Sequence, residues 1–434
     1  MKISIKTPIA IVGLGLSGES VLSLLSSLGI PRHDIITFDE KSLSAQVSDP
    51  ERLLNEYQPK TLVISPGVPL SKPWIKRALD QGIAITSEIN LATTVLENEI
   101  LIGITGSVGK STVTSLVGEV LTALDKNTFV GGNLGKAFCD YARDVFEKKR
   151  PRAKWVVLEL SSYQLENCRE LHLSAAAITS FTPNHLERYN SLEDYYLTKL
   201  RIIDMCNGPV LLNKNSLDLA AHSAKIKSLY PKKQVHWSSN EKMSNFFDFS
   251  KARLIGKHNQ QNLALAADLL LKLGLQHEQL GSLNDFPGLS HRTEFFGKWN
   301  DVTFVNDSKA TSIESVQVAV DSCLPLIKSG HKLHLLLGGR DKNLPWENLK
   351  NWDDNETVVF YFFGESKDLI PKKSGLSGPS FENLTACFEF LMNNVQKNDV
   401  VLFSPGGTSL DEFKNFEARG NFFKELVQTY YSSR

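Results

Sequence analysis

The stretch GITGSVGKSTVTSLVGEVL, Gly103 to Leu121, decides the fold. The apolar residues Ile100, Leu101, Ile102 and Ile104 read as a buried strand, and the residues after Lys110 read as a helix. Between them Gly106 and Gly109 let the backbone turn tightly around an anion. Lys110 supplies a positive charge, and the hydroxyl of Ser111 is placed to reach a Mg²⁺ ion. The longer phosphate-loop pattern G-x-x-x-x-G-K-[ST] asks for glycine at position 104, where Ile104 stands, so the match is to the shorter form G-x-x-G-K-[ST].

Outward from this loop the chain is a succession of strand-then-helix units, the pattern of parallel sheets covered by helices. Strands are expected at Ile9 to Val12, Ile35 to Phe38, Leu62 to Ile64 and Ile83 to Ile85. Further strands are expected at Ile100 to Ile104, Trp155 to Leu160 and Ala175 to Thr179, then Val302 to Val305, Leu333 to Leu337, Val358 to Phe363 and Val400 to Phe403. Helical periodicity marks Asn262 to Leu273 and Leu384 to Asn394. Boundaries near residue 92 and in the turn-rich stretch NDFPGLSHR near residue 288 divide the chain into residues 1–92, 93–288 and 289–434.

Composition narrows the function classes. The chain has 434 residues, 41% of them hydrophobic and 22% charged, as expected of a globular protein with more than one core. Its 48 Lys and Arg balance 48 Asp and Glu, so no nucleic-acid partner is expected, and the basic run EKKRPRAK (Glu147 to Lys154) reads as a solvated loop. Five scattered cysteines without a C-x-x-C pair read as reduced core residues of a cytoplasmic protein. Glycines at 13, 15 and 18 interrupt the apolar N-terminal run, so a signal peptide is not expected, and no apolar run is long enough for membrane insertion.

A second glycine turn, GLGLSG, places Gly13, Gly15 and Gly18 between the strand PIAIV and the apolar helix VLSLLSSL, and Asp39 closes the next strand. Alone, this fingerprint says only that a nucleotide or diphosphate binds here. SPGVPL (Ser65 to Leu70) again follows a strand, at the edge where open α/β sheets bind ligands. Glu159 ends the run VVLE beside the phosphate loop, where a Mg²⁺ ligand is needed, and His185 in TPNHLERY is a candidate for a second ion. The N-K-x-D signature of GTPases is missing its aspartate in NKNS (Asn213 to Ser216).

Gly106 to Thr112, ELSSYQLE (Glu159 to Glu166), NHLERY (Asn184 to Tyr189), GKHNQQN (Gly256 to Asn262), SHRTEFF (Ser290 to Phe296), NDSKAT (Asn306 to Thr311) and SPGGTSLDEFKNFEARG (Ser404 to Gly420) occur in the order seen in Mur ligases, the ATP-dependent amino-acid-adding enzymes of peptidoglycan synthesis. The chain resembles this family over nearly its whole length, most closely the members that add D-glutamate. The resemblance implies an α/β fold of three domains: an N-terminal Rossmann-like domain for the uridine diphosphate, a central P-loop ATPase-like domain with a mostly parallel sheet, and a C-terminal Rossmann-like domain for the incoming amino acid. It implies ATP, two Mg²⁺ ions, UDP-N-acetylmuramoyl-L-alanine and D-glutamate as ligands of a monomer.

The resemblance also distributes roles. Ser17, Asp39, Glu40, Ser65 and Gly67 are implied to meet the UDP part, and Asn133, Ser161, Ser162 and Gln164 the muramoyl-alanine end. ATP is implied to meet Gly106, Ser107, Val108, Gly109, Lys110, Ser111 and Thr112, with Asn262, Arg292 and Asp307 at base, phosphate and ribose. Ser111, Glu159, His185 and a carbamate on Lys199 are implied metal ligands. D-Glutamate is implied to meet Lys309, Thr311, Lys342, Ser409, Leu410 and Phe416. Val108, Asn184 and Ser312 stand where the family usually carries asparagine, aspartate and asparagine. An NAD-dependent oxidoreductase would leave Lys110 and NDSKAT without a role, and a folylpolyglutamate synthase would leave GLGLSG without one. A nucleotide-dependent scaffold or switch is the non-enzymatic alternative.

Overall fold

The computed structural model describes residues 5–183, 188–352 and 356–432. Its short apolar runs form three sheets. In the first, β1 (Ile9–Val12), β2 (Ile35–Phe38), β3 (Thr61–Ile64) and β4 (Ala84–Thr86) are parallel in the order β2-β1-β3-β4. The second holds β5 (Ile100–Thr105), β6 (Phe129–Gly132), β7 (Trp155–Glu159), β8 (Ala175–Ile178), β9 (Val210–Asn213) and β10 (Val235–Ser238) in the parallel order β10-β9-β8-β5-β7-β6. The third comprises β11 (Glu294–Trp299), β12 (Val302–Asn306), β13 (Leu333–Gly338), β14 (Val358–Phe363), β15 (Ser380–Phe381) and β16 (Val400–Gly406), ordered β11-β12-β16-β13-β14-β15.

Every expected strand is present within one to three residues at its ends, and the α/β class holds. Strands β6, β9, β10, β11 and β15 are additions. Of these only β11 runs antiparallel, joined to β12 by Asn300 and Asp301, both at positive φ, as a tight hairpin requires.

Strand alternation explains the layering. In β1, Ile9 and Ile11 enter one core cluster while Ala10 and Val12 enter another on the opposite face. In the third sheet Val400 and Leu402 face one layer, and Val401 and Phe403 the other. The five cysteines are buried and unbonded, as expected of core residues.

The chain packs as two compact units: Met1–Asp248 with Gln261–Leu283, and Phe249–Gln260 with Asn284–Arg434. The first contains both the first and second sheets, whose residues share one core cluster. Polar ties reinforce this joint. Asn90 Nδ2 donates to the Asn167 carbonyl (3.2 Å), Asn167 Nδ2 to the Thr86 carbonyl (2.7 Å), and buried Glu88 accepts from the Cys139 amide at the start of the helix Phe138–Phe146. In the second unit Arg253 N–H donates to Asn284 O, anchoring the early segment to the later one. No described helix is long and apolar enough to cross a membrane.

Candidate active site

The phosphate loop lies where β5 sits between β7 and β8, a reversal of strand order of the kind at which parallel sheets open a ligand crevice. The loop feeds the helix Lys110–Leu124, whose N-cap Gly109 has φ +88° and offers no capping side chain. At Gly106, φ is +146°, and a Cβ would stand 2.0 Å from Thr179 Oγ1, so only glycine fits. The loop is stitched to the segment after β8. Ser107 N–H donates to Ser180 O (2.8 Å), Val108 N–H to Ser180 Oγ (3.0 Å), and Ser107 Oγ to Thr182 O (3.0 Å).

Two lysines converge on this loop. Lys110 Nζ donates to Ser107 O (2.9 Å), and Lys199 Nζ, from the helix Leu192–Met205, donates to Gly106 O (2.7 Å). Lys199 is 1% exposed and lies 4.4 Å over the Tyr195 ring. Burial, helped by the charge of Lys110, lowers its pKa to about 6 against the pull of Glu159. Tyr195 OH also meets Ser107 Oγ (3.2 Å).

Register pairs Glu159 with Ile104 on β5. The Glu159 side chain is buried; Asn133 Nδ2 donates to its Oε1 (2.7 Å), while its Oε2 has no partner. Ser111 is buried at the first turn of the following helix. His185 lies outside the described residues. Among the described residues no three His, Cys, Asp or Glu side chains cluster as a metal site. Asn262, on the helix Lys257–Lys272, packs against Gly109, where a Cβ would stand 2.5 Å from Asn262 Oδ1.

The first glycine turn opens on a cavity of about 700 Å³ lined by Ser17, Asp39, Glu40, Ser65, Gly67, Asn133 and Gln164, all expected from the sequence. Gly18 allows the turn to close, since a Cβ there would stand 2.0 Å from Gly13 O. Asp39 is spent on the backbone: its oxygens accept from the Leu14 (2.9 Å), Lys41 (2.9 Å) and Ser42 (3.1 Å) amides. The first two bonds lead in holding its pKa below the usual carboxylate value. Glu40 is held at the rim by Lys72 and by Trp74 Nε1 (3.3 Å). Ser161 and Gln164 close a capping box on the helix Ser162–Glu166, and Ser162 is buried behind it.

In the second unit, the carboxyl edge of the third sheet gathers further expected residues. Asp307 accepts from Thr293 N–H (2.9 Å) and Ser404 Oγ (2.7 Å), and burial pushes its pKa up to about 7. Arg292 is exposed. Lys309 lies 4.0 Å over the Phe416 ring, its pKa lowered by burial and then by Arg292. The loops bearing Lys342 and Ser409 are joined, Arg340 N–H donating to Thr408 O (2.8 Å) and Thr408 N–H to Arg340 O (2.9 Å). Lys342, Thr311 and Leu410 are exposed, and Ser409 is buried.

Sequence reasoning passed over Arg419, which is fully buried. It donates to Ser308 Oγ (3.1 Å), Ser308 O (2.9 Å) and Gly407 O (3.1 Å), pinning the NDSKAT loop to the glycine loop after β16. Its place inside SPGGTSLDEFKNFEARG was the available signal.

Residues 104–270 match the family described as Mur ligase middle domain. The chain is 31% identical to UDP-N-acetylmuramoylalanine–D-glutamate ligase of Desulfatibacillum aliphaticivorans, over 96% of this chain and 97% of that one. It is 32% identical to the protein of the same name from Haemophilus influenzae, over 97% and 98%. Among solved structures, UDP-N-acetylmuramate-alanine ligase MurC of Thermotoga maritima shares the fold with a TM-score of 0.59 and 19% identity, covering 99% of this chain and 100% of that one. MurF ligase of the same organism, solved with ADP, gives 0.57 and 14%, covering 97% and 95%.

Proposed function

The chain belongs to the Mur ligase family, and on that premise we propose that it is an ATP-dependent ligase joining D-glutamate to UDP-N-acetylmuramoyl-L-alanine in peptidoglycan precursor synthesis. The observation that carries the reading is near-full-length identity of 31% and 32% to ligases of that name. The paired lysines and the orphaned carboxylate oxygen at the phosphate loop support it.

A carboxylate is a poor electrophile. The alanyl carboxylate therefore attacks the γ-phosphorus of ATP and ADP leaves. The amine of D-glutamate then attacks the acyl phosphate, and the tetrahedral intermediate collapses with loss of phosphate and a proton. Both steps bring anions together. Lys110 and the loop amides at Gly106 to Thr112 offset that charge and hold the reacting oxygens in line. Asn262, Arg292 and Asp307 serve the rest of the nucleotide. The cavity at Gly13–Gly18 takes the UDP part, where Asp39 shapes the turn while Ser17, Glu40, Ser65 and Gly67 face the ligand. Asn133, Ser161, Ser162 and Gln164 serve the muramoyl-alanine end. Lys309, Thr311, Lys342, Ser409, Leu410 and Phe416 form the amino-acid pocket.

The buried, unpartnered Glu159 Oε2 is the feature that Mg²⁺ fits. Glu159, Ser111 and a carbamylated Lys199 would hold it, with His185 assigned to a second ion, and bound Mg²⁺ supplies positive charge beside the phosphate oxygens. A lysine with pKa about 6 is largely a neutral amine at pH 7, the form that adds to CO₂ to give a carbamate and a proton. The protein is proposed to act as a monomer in the cytoplasm. Incubation with ATP, Mg²⁺ and both substrates tests the reading: the UDP compound should gain one glutamyl residue by mass as one phosphate is released. Phosphate release independent of the UDP compound would contradict it.

A further inference from the structure

We propose that Arg188 is a positioning residue for the UDP-linked substrate, clamping the loop Ser65–Leu70 to the helix Ser162–Glu166 behind two walls of the first cavity. The proposal rests on the assignment of that cavity to the UDP compound. Gly67, Val68 and Pro69 from the loop and Gln164 from the helix line the cavity, whereas Arg188 does not. It works from behind. Its Nε donates to Glu166 Oε1 (3.1 Å) and its Nη2 to Glu166 Oε2 (2.7 Å), a bidentate pair on the helix. Nη1 reaches the Gly67 carbonyl (3.4 Å) and Nη2 the Val68 carbonyl (3.3 Å) on the loop. The guanidinium lies 4.4 Å over the ring of Tyr163, and the Arg188 side chain is 8% exposed.

The loop needs such a tie. Its first residue is fixed to the glycine turn, Ser65 N–H donating to Val12 O (2.9 Å) and Ser65 Oγ to Gly13 O (2.8 Å), and Val68 N–H closes a turn on Ser65 O (3.0 Å). Beyond Ser65 the carbonyls of Gly67 and Val68 are met by Arg188, so its planar fork sets how far this wall stands from Gln164. A lysine cannot reproduce a paired carboxylate contact, two carbonyl contacts and a stacked plane together.

Arg188→Lys and the milder Glu166→Gln test the clamp. The readouts are calorimetric affinity for UDP-N-acetylmuramoyl-L-alanine, KM and kcat for each substrate, and Tm. Both variants should weaken binding of the UDP compound and raise its KM about tenfold, as expected when an ordered wall loses its charge-assisted anchor, with kcat and the KM for ATP within twofold of wild type. Unchanged affinity in the soluble Glu166→Gln protein, with or without a lower Tm, would overturn the proposal and leave Arg188 a strut. Equal losses for ATP and the UDP compound would overturn it too. If wild-type protein fails to bind the UDP compound, the reading of the cavity falls and the clamp with it, an outcome visible before any variant is made.

Discussion

The two glycine turns of the first unit, Gly13–Gly18 and Gly106–Lys110, follow the same strand–turn–helix logic and differ in what surrounds them. The first opens on a cavity of about 700 Å³ whose charged rim, Asp39, Glu40, Lys41 and Lys72, is balanced in sign. Its half-buried carboxylate, Asp39, is committed to backbone amides. The second concentrates unlike demands in one place: Lys110, a buried Lys199 and a buried Glu159 with an unpartnered oxygen. Shape and backbone donors suit a site that holds a substrate still. A buried lysine and a buried carboxylate oxygen left without a partner suit a site where charge develops during reaction.

That contrast is broken most severely at Lys110. On the proposed reading Lys110→Ala lowers acyl-phosphate formation about a thousandfold or more, the scale of losing a charge that stabilises phosphoryl transfer. Calorimetric binding of the UDP compound should stay near wild type; loss of both would merge two sites that the contrast separates.

Lys199 sharpens the second site. Lys199→Ala and Lys199→Arg should each lower turnover at least about a hundredfold, because neither can carry a carbamate anion. Near-normal turnover of the arginine variant would reject that role. The sign with pH comes from the lowered pKa: above about 6 the amine is neutral and can add CO₂, and below it protonation removes the nucleophile. Carbamate content measured by ¹³C NMR with labelled bicarbonate should therefore rise with pH through about 6, and a content constant from pH 5 to 8 would contradict the assignment.

The smallest effect is expected at Asp39. Asp39→Asn keeps the size but removes the charge that three backbone amides share, so affinity for the UDP compound should fall about tenfold. The KM for ATP should not move, which steady-state kinetics with each substrate varied in turn will show.

Much of this was legible in the sequence because it is local. Strand, glycine turn and helix start lie within some twenty residues of each other, and both turns were found that way. The missed strands have identifiable causes. β9 (VLLN) and β10 (VHWS) are short, and unlike the equally short β1 they are not followed by a glycine turn that marks them. β11 (EFFGKW) does not alternate cleanly, and its register against β12 shifts between Phe295 and Gly297. Long-range partnerships left no local mark. Nothing near Asp39 announces that it will accept from Leu14, and nothing near Arg188 announces the carbonyls of Gly67 and Val68. The burial that lowers the pKa of Lys199 is likewise made by the fold around it.

The central claim, a charge-dense phosphate loop activating a carboxylate for attack by one amino acid, is tested most directly by phosphate release with ATP, Mg²⁺ and UDP-N-acetylmuramoyl-L-alanine against a panel of D- and L-amino acids. The account predicts strong turnover with D-glutamate alone. Equal turnover with L-glutamate, or phosphate release that ignores the amino acid, would contradict it.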